Sequence, residues 1–252
     1  MVGGLSSRRG GIVVAAVAVV TVVAWVVTVE QMRGMDAGPG ADLGSFGWFI
    51  GVWVTMMVAM MLPSTLPVIF LVARLRRGLE VCLFVVGYVL AWTVYGIAAY
   101  GVYRGLRATA PSFVAWDDRG PWVAGAALAT AGVYQLTPLK TSCLSRCRSP
   151  LRFLMGADSG AVGAVRAGVG HGLFCVGCCA GLMLALFALG VMSLVWMALV
   201  AVAILVEKTL PGGSQTAVAL AAVLVVLGFW VAVRPGSVPG LTEPHSMRMM
   251  HR

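Results

Sequence analysis

Charged residues are scarce in this chain, and acidic residues are the scarcest of them. Of 252 residues only 11% are charged, and 60% are hydrophobic. Because a soluble domain carries about 25% charged residues, the composition excludes an ordinary soluble protein and predicts an all-α, polytopic transmembrane bundle. The net charge of +9 lies in short loops beside apolar runs. The placement of the basic residues therefore indicates how the chain crosses a membrane. The expected partner is a lipid bilayer and not nucleic acid.

Residue sets for several common chemistries are also missing. The chain has only three histidines, and few acidic residues lie inside its apolar runs. This scarcity excludes a Ser-His-Asp triad and a glycosidase carboxylate pair. The same lack of deep ionisable residues argues against a transporter that moves protons through buried carboxylates. No glycine-rich phosphate loop follows a strand, so ATP bound by this chain is not expected to drive transport. The pattern favours a binding protein over an enzyme.

Seven apolar segments approach or reach the length of about 20 residues that spans a bilayer. They cover residues 12–29, 48–72, 81–103, 121–138, 169–188, 191–207 and 214–233. The fifth and sixth are separated by little more than Leu189-Gly190, which predicts a tight helical hairpin. Residues 1–233 should thus form one transmembrane domain, and residues 234–252 a flexible tail.

The distribution of basic residues predicts how the spans are oriented. Arg8 and Arg9 precede the first span, and basic loops follow the second and fourth spans, whereas the loop after the first span is acidic. By the positive-inside rule the N-terminus lies in the cytoplasm, and seven spans would leave the C-terminus outside. All but two of the 18 basic residues are Arg, and Ala, Val and Gly are abundant. This composition is typical of a GC-rich bacterial genome and points to a bacterial plasma membrane.

Four soft-metal ligands lie along one stripe of the fifth span: His171, Cys175, Cys178 and Cys179. Successive spacings of three and four place them on one helix face, over roughly 12 Å of its axis. Thiolate and imidazole bind soft transition metals, and a histidine within a membrane span is a functional candidate. The expected ligands of one ion are Cys175 with Cys178 or Cys179, and a Met or Cys from another helix. The alternative is that these cysteines are small apolar residues packed beside glycines.

Methionines form two pairs in the second span, Met56 with Met60 and Met57 with Met61, each four residues apart. Thioethers suit Cu(I), although methionine also fills gaps between packed helices. Met60 and Met61 lie near the middle of their span, as the cysteines do in theirs. The two spans run in opposite directions, so both sets can meet at one depth.

A second pair of thiols, Cys143 and Cys147, follows the fourth span in a basic loop. The loop is expected to face the cytoplasm, where thiols stay reduced. If the segment is helical, the two side chains face the same way. They then form either a metal acceptor or donor site at the inner surface, or two incidental thiols.

Two further features carry open alternatives. Glu207 and Lys208 end the sixth span, either as an interfacial ion pair or as a gate. The tail contains alternating methionine and histidine between His245 and His251, which is either a metal-collecting segment or a disordered end.

These motifs together resemble a family of bacterial integral membrane proteins that are predicted to bind metal and are of unknown function. The resemblance covers about residues 48–211 and is carried by Trp53, residues 56–64, 134–140, Cys143, residues 147–151, 170–172, 175–179, 182–183, 190–193, 196–197 and 207–208. It implies metal binding but specifies neither the metal nor a reaction.

The sequence therefore predicts a membrane protein that binds and delivers a soft transition metal, with Cu(I) favoured over other soft metals. The thiol stripe would bind the ion, Met57, Met60 and Met61 would complete or relay the site, and Cys143 and Cys147 would accept or donate the ion. The expected partners are other membrane or metal-trafficking proteins. Two other classes stay open: an accessory or assembly subunit of a larger membrane complex, and a membrane thiol redox protein.

Overall fold

The computed structural model describes residues 2–33, 43–76, 78–109, 120–149, 160–210 and 213–234. All regular structure in these ranges is helical, as predicted. The helices are α1 (Val2–Met32), α2 (Phe46–Leu75), α3 (Gly78–Thr109), α4 (Gly120–Gln135), α5 (Pro138–Arg148), α6 (Ala161–Leu189), α7 (Leu194–Thr209) and α8 (Gly213–Val233). The Met- and His-containing tail lies outside the described residues.

Each of the seven predicted spans coincides with a helix, but the described helices differ in length. Five are long and apolar enough to cross a membrane: those at Gly10–Met32, Phe46–Leu75, Gly78–Thr109, Ala161–Leu189 and Gln215–Val233. The helices α4 and α7 have 16 residues each, or about 24 Å of axis against a hydrocarbon core of about 30 Å. Two of the seven predicted spans are therefore shorter than a full crossing.

Two local signals set the ends of the short helices. After α4 the chain turns at Leu136 and Thr137, and the Thr137 hydroxyl accepts a hydrogen bond from the Lys140 amide as the N-cap of α5. Pro138 takes the first position of α5, where its missing N–H costs nothing. The predicted hairpin between α6 and α7 is present, and Gly190 makes its turn at φ +102°, a conformation that favours glycine.

The helix α6 lies at the centre of the bundle and packs against α3, α4, α5 and α7. Its contact with α3 is made by glycines: a Cβ on Gly168 would lie 2.0 Å from the Phe84 carbonyl oxygen, and one on Gly87 would lie 2.3 Å from the Val165 oxygen. Side chains at these positions would force the helices apart, so the glycines allow backbone-to-backbone contact. This close approach brings residues of α3 up to the thiol stripe of α6.

The other helices surround this centre. α4 and α8 pack together through Gly125, Gly132 and Gly228, and α1 packs along α2. α2 and α6 are the most buried of the long apolar helices, whereas α1, α3 and α8 bury a third of their apolar residues or less. The two long helices that carry the predicted methionines and the thiol stripe are thus the most buried of the five.

Candidate metal centre

Three cysteine thiols converge inside the bundle. The Sγ atoms of Cys147, Cys175 and Cys178 all lie within 4.8 Å of one another, and all three residues are buried. We call these residues the thiol trio. A metal with bonds of about 2.3 Å to three sulfurs would hold those sulfurs about 4 Å apart, so a small contraction would allow all three to bind one soft ion. Cys147 comes from the last turn of α5, and the other two come from neighbouring turns of α6.

The remaining members of the predicted stripe border the trio. His171 Nε2 is 3.9 Å from Cys147 Sγ, and the imidazole packs against the rings of Phe84 and Tyr88. Cys179 Sγ is 3.6 Å from Cys178 Sγ. Both residues are buried and lie within one helical turn of trio members, so the stripe forms one wall of the centre.

The predicted pair Cys143 and Cys147 is divided between two environments. Both residues lie on α5, four apart, but Cys147 is a member of the trio and Cys143 is half-buried against Gly177. A Cβ on Gly177 would lie 2.7 Å from the Cys143 sulfur, so glycine is what allows this thiol to approach α6. Cys147 thus belongs to the trio, whereas Cys143 contacts α6 at Gly177.

The predicted methionines of α2 are buried in the same core as the thiols. Met56, Met57, Met60 and Met61 are each at most 2% exposed, and they belong to the same apolar cluster as the cysteines of α6. All four thioethers are thus enclosed in the same core as the thiols of α6.

Two contacts set the register of α2 against α6. The ring of Trp53 stacks on Phe187 with centroids 5.6 Å apart. Eleven residues further along α2, Ser64 shares the Lys208 ammonium with Cys175, which lies twelve residues before Phe187. Because both helices rise equally per residue, Met60 and Met61 lie at about the level of Cys179.

Two residues at the centre were not predicted to lie beside the thiols. The Tyr88 hydroxyl is 3.0 Å from Cys175 Sγ, and the Lys208 ammonium donates to the same sulfur at 2.9 Å and to Ser64 Oγ at 3.0 Å. The sequence singled out Lys208 only as part of an interfacial ion pair or a gate at the end of the sixth span. Tyr88 is one aromatic residue within an apolar run, and nothing in the sequence distinguishes it.

The ion pair expected at the end of α7 is present with a different partner. Glu207 pairs with Lys140 of α5, and both residues are almost fully buried. Arg148 donates to the backbone carbonyls of Glu207 and Leu210. Adjacent residues of a helix point in different directions, so Glu207 faces α5 while Lys208 faces the thiols. The pair therefore joins α5 to α7.

Protonation is linked to ligand chemistry at Cys147, which lies outside the long apolar helices. A hydrogen bond with Cys175, together with burial, raises the pKa of the Cys147 thiol to about 12. Thiols bind metals as thiolates, so an ion that enters the trio must displace a proton from Cys147. A soft metal with high affinity for sulfur can do so.

Comparison with known proteins supports a copper-related role. No curated protein and no solved structure matches the chain. A family model described as PpoB2, copper chaperone, matches residues 50–231. These residues include α3 to α7, all of the predicted ligands, Tyr88 and Lys208. Because the match covers well over half of its length, the chain belongs to the PpoB2 copper chaperone family.

Proposed function

We propose that this protein is a multi-pass protein of the bacterial plasma membrane that binds one Cu(I) ion at the thiol trio and delivers it to a partner. The observation that carries the proposal is the convergence of three buried thiols within 4.8 Å from two different helices. Thiolates in a compact set are preferred ligands of Cu(I). Membership of a copper chaperone family supports copper as the cargo.

The residues around the trio have distinct roles in this proposal. Cys147, Cys175 and Cys178 bind the ion. His171 and Cys179 border them and offer alternative ligands during ion exchange, since their donor atoms lie 3.9 and 3.6 Å from trio sulfurs. Exchange between neighbouring soft ligands lets a copper ion move without passing through a free state.

Two routes connect the trio with its surroundings. On one side the thioethers of Met57, Met60 and Met61 relay copper along α2, at about the level of Cys179. On the other side the half-buried thiol of Cys143 passes the ion towards the face that carries α5. With a cytoplasmic N-terminus, this face is the cytoplasmic one. The partner is a metal-trafficking or membrane protein that can contact α5.

Copper stoichiometry tests the proposal. Protein loaded with Cu(I) under anaerobic conditions and freed of excess metal should retain about one copper per chain. The variant Cys147→Ser/Cys175→Ser/Cys178→Ser should retain almost none, because hydroxyls are poor ligands for a soft ion. X-ray absorption of the loaded wild-type protein should show sulfur neighbours around copper.

An unrelated cysteine provides the matched control. Cys82 on α3 is exposed and outside the trio, so Cys82→Ser should load copper like the wild-type protein. Equal copper contents in the wild type and the folded triple variant would contradict the proposal, whether both contents are high or both are near zero.

A further inference from the structure

The Lys208 side chain brings a positive charge directly against a proposed copper ligand. Its ammonium lies 2.9 Å from Cys175 Sγ and 3.0 Å from Ser64 Oγ, so it bridges α6 and α2. A lysine inside an apolar bundle is costly unless it has partners. Here its partners are a thiol and a hydroxyl, and neither is a carboxylate.

Within the part of the chain that the structure describes, Lys208 forms no ion pair with a carboxylate. Its sequence neighbour Glu207 is paired with Lys140 instead, and the charges of this buried pair sum to zero. Arg148 holds the end of α7 through the carbonyls of Glu207 and Leu210. The backbone at Lys208 is therefore fixed, and the ammonium faces the thiols.

We infer that Lys208 makes the thiol trio selective for a monovalent soft cation over divalent ones, an inference that rests on the proposed copper function. The Lys208 ammonium repels a cation bound at the trio, and it repels a divalent ion by one unit of charge more than Cu(I) when the thiolate ligands are the same. Within a membrane-embedded bundle this repulsion is only weakly screened.

The size of the effect follows from Coulomb's law. At a separation of a few ångströms and an effective dielectric constant of about 20, one additional unit of charge changes an affinity on the order of 100-fold. Loss of the lysine charge therefore changes the Zn(II) affinity relative to the Cu(I) affinity by this factor. General damage to the site weakens both ions, so the ratio isolates the charge.

The experiment compares Lys208→Met and Lys208→Gln with the wild-type protein in detergent. Affinities for Cu(I), Ag(I) and Zn(II) are measured by competition with chelators of known affinity, under anaerobic conditions. We expect the ratio of Zn(II) to Cu(I) affinity to rise on the order of 100-fold in both variants. The ratio of Ag(I) to Cu(I) affinity should stay within about threefold, because both ions carry one charge. Lys208→Gln keeps a hydrogen-bond donor and guards against misfolding of Lys208→Met.

Two controls complete the design. Lys208→Arg keeps the charge and should keep the wild-type ratio. Arg146→Met removes a charge from an exposed position of α5, where the guanidinium lies over the ring of Phe174 on α6. This variant should leave the ratio unchanged. An unchanged Zn(II) to Cu(I) ratio in folded Lys208→Gln overturns the inference while leaving the copper function intact. Failure of the wild-type protein to bind Cu(I) through the trio overturns the proposed function instead.

Discussion

Replacing Gly168 by valine should separate α3 from α6 and destabilise the whole bundle. The first added carbon would lie 2.0 Å from the Phe84 carbonyl oxygen and 3.0 Å from the Tyr88 amide nitrogen. Both are backbone atoms, so no side-chain rotation can make room. We expect a loss of at least about 3 kcal/mol, the upper end of the usual overpacking cost. Because Tyr88 would move with α3, its hydroxyl would also leave Cys175.

Thermal unfolding in detergent measures this effect, and α3 offers a matched control. Gly101 has no atom within 4 Å of an added Cβ, so Gly101→Val should unfold at or slightly above the wild-type temperature, as expected from helix propensity. Similar unfolding temperatures for the two valine variants would show that the close approach at Gly168 is not needed.

Glu207→Gln is the second change for which we expect a large effect. It leaves the Lys140 ammonium, which is 1% exposed, without its negative partner. Breaking a buried pair from one side costs about 3–5 kcal/mol, because a charge then stays uncompensated in a low-dielectric interior. The end of α7 should loosen, and the copper affinity should fall with it because α5, which carries Lys140, also supplies Cys147.

A double variant separates charge from packing. In Lys140→Met/Glu207→Gln no buried charge is left unpaired, so most of the lost stability should return. Glu30→Gln serves as a control, since Glu30 forms an exposed pair with Arg33 that should contribute less than about 1 kcal/mol. If the double variant is less stable than Glu207→Gln alone, the charge argument is wrong.

Much of the architecture could be predicted because long apolar helices can be recognised from their composition. Long apolar runs, Leu189-Gly190 and the scarcity of charge were sufficient to predict a helical bundle with a hairpin. Helix lengths were harder to predict, since Thr137 and Pro138 end one helix and start another within a predicted span. At this position the Thr137 N-cap, and not the apolar pattern, determines where the helices end and begin.

The candidate centre was predictable only one helix at a time. Periodicity places Cys175 and Cys178 on one face of α6, but it does not reveal which residues of other helices lie opposite. Cys147 reaches the trio through the position of α5, and Lys208 reaches Cys175 from 33 residues away in sequence. Such contacts depend on tertiary packing, to which the spacing of residues within a helix is insensitive.

In the proposed function, the short helix α5 would couple the ion pair of Lys140 and Glu207 to retention of the metal. Lys140 and Cys147 are both buried and lie seven residues apart on this helix, which is about two helical turns. One helix therefore carries both the cation of the salt bridge and a sulfur donor. A docking protein that tilts α5 would strain both attachments in the same movement. Release of the cargo would then be gated by the strength of a charge pair that never touches the ion.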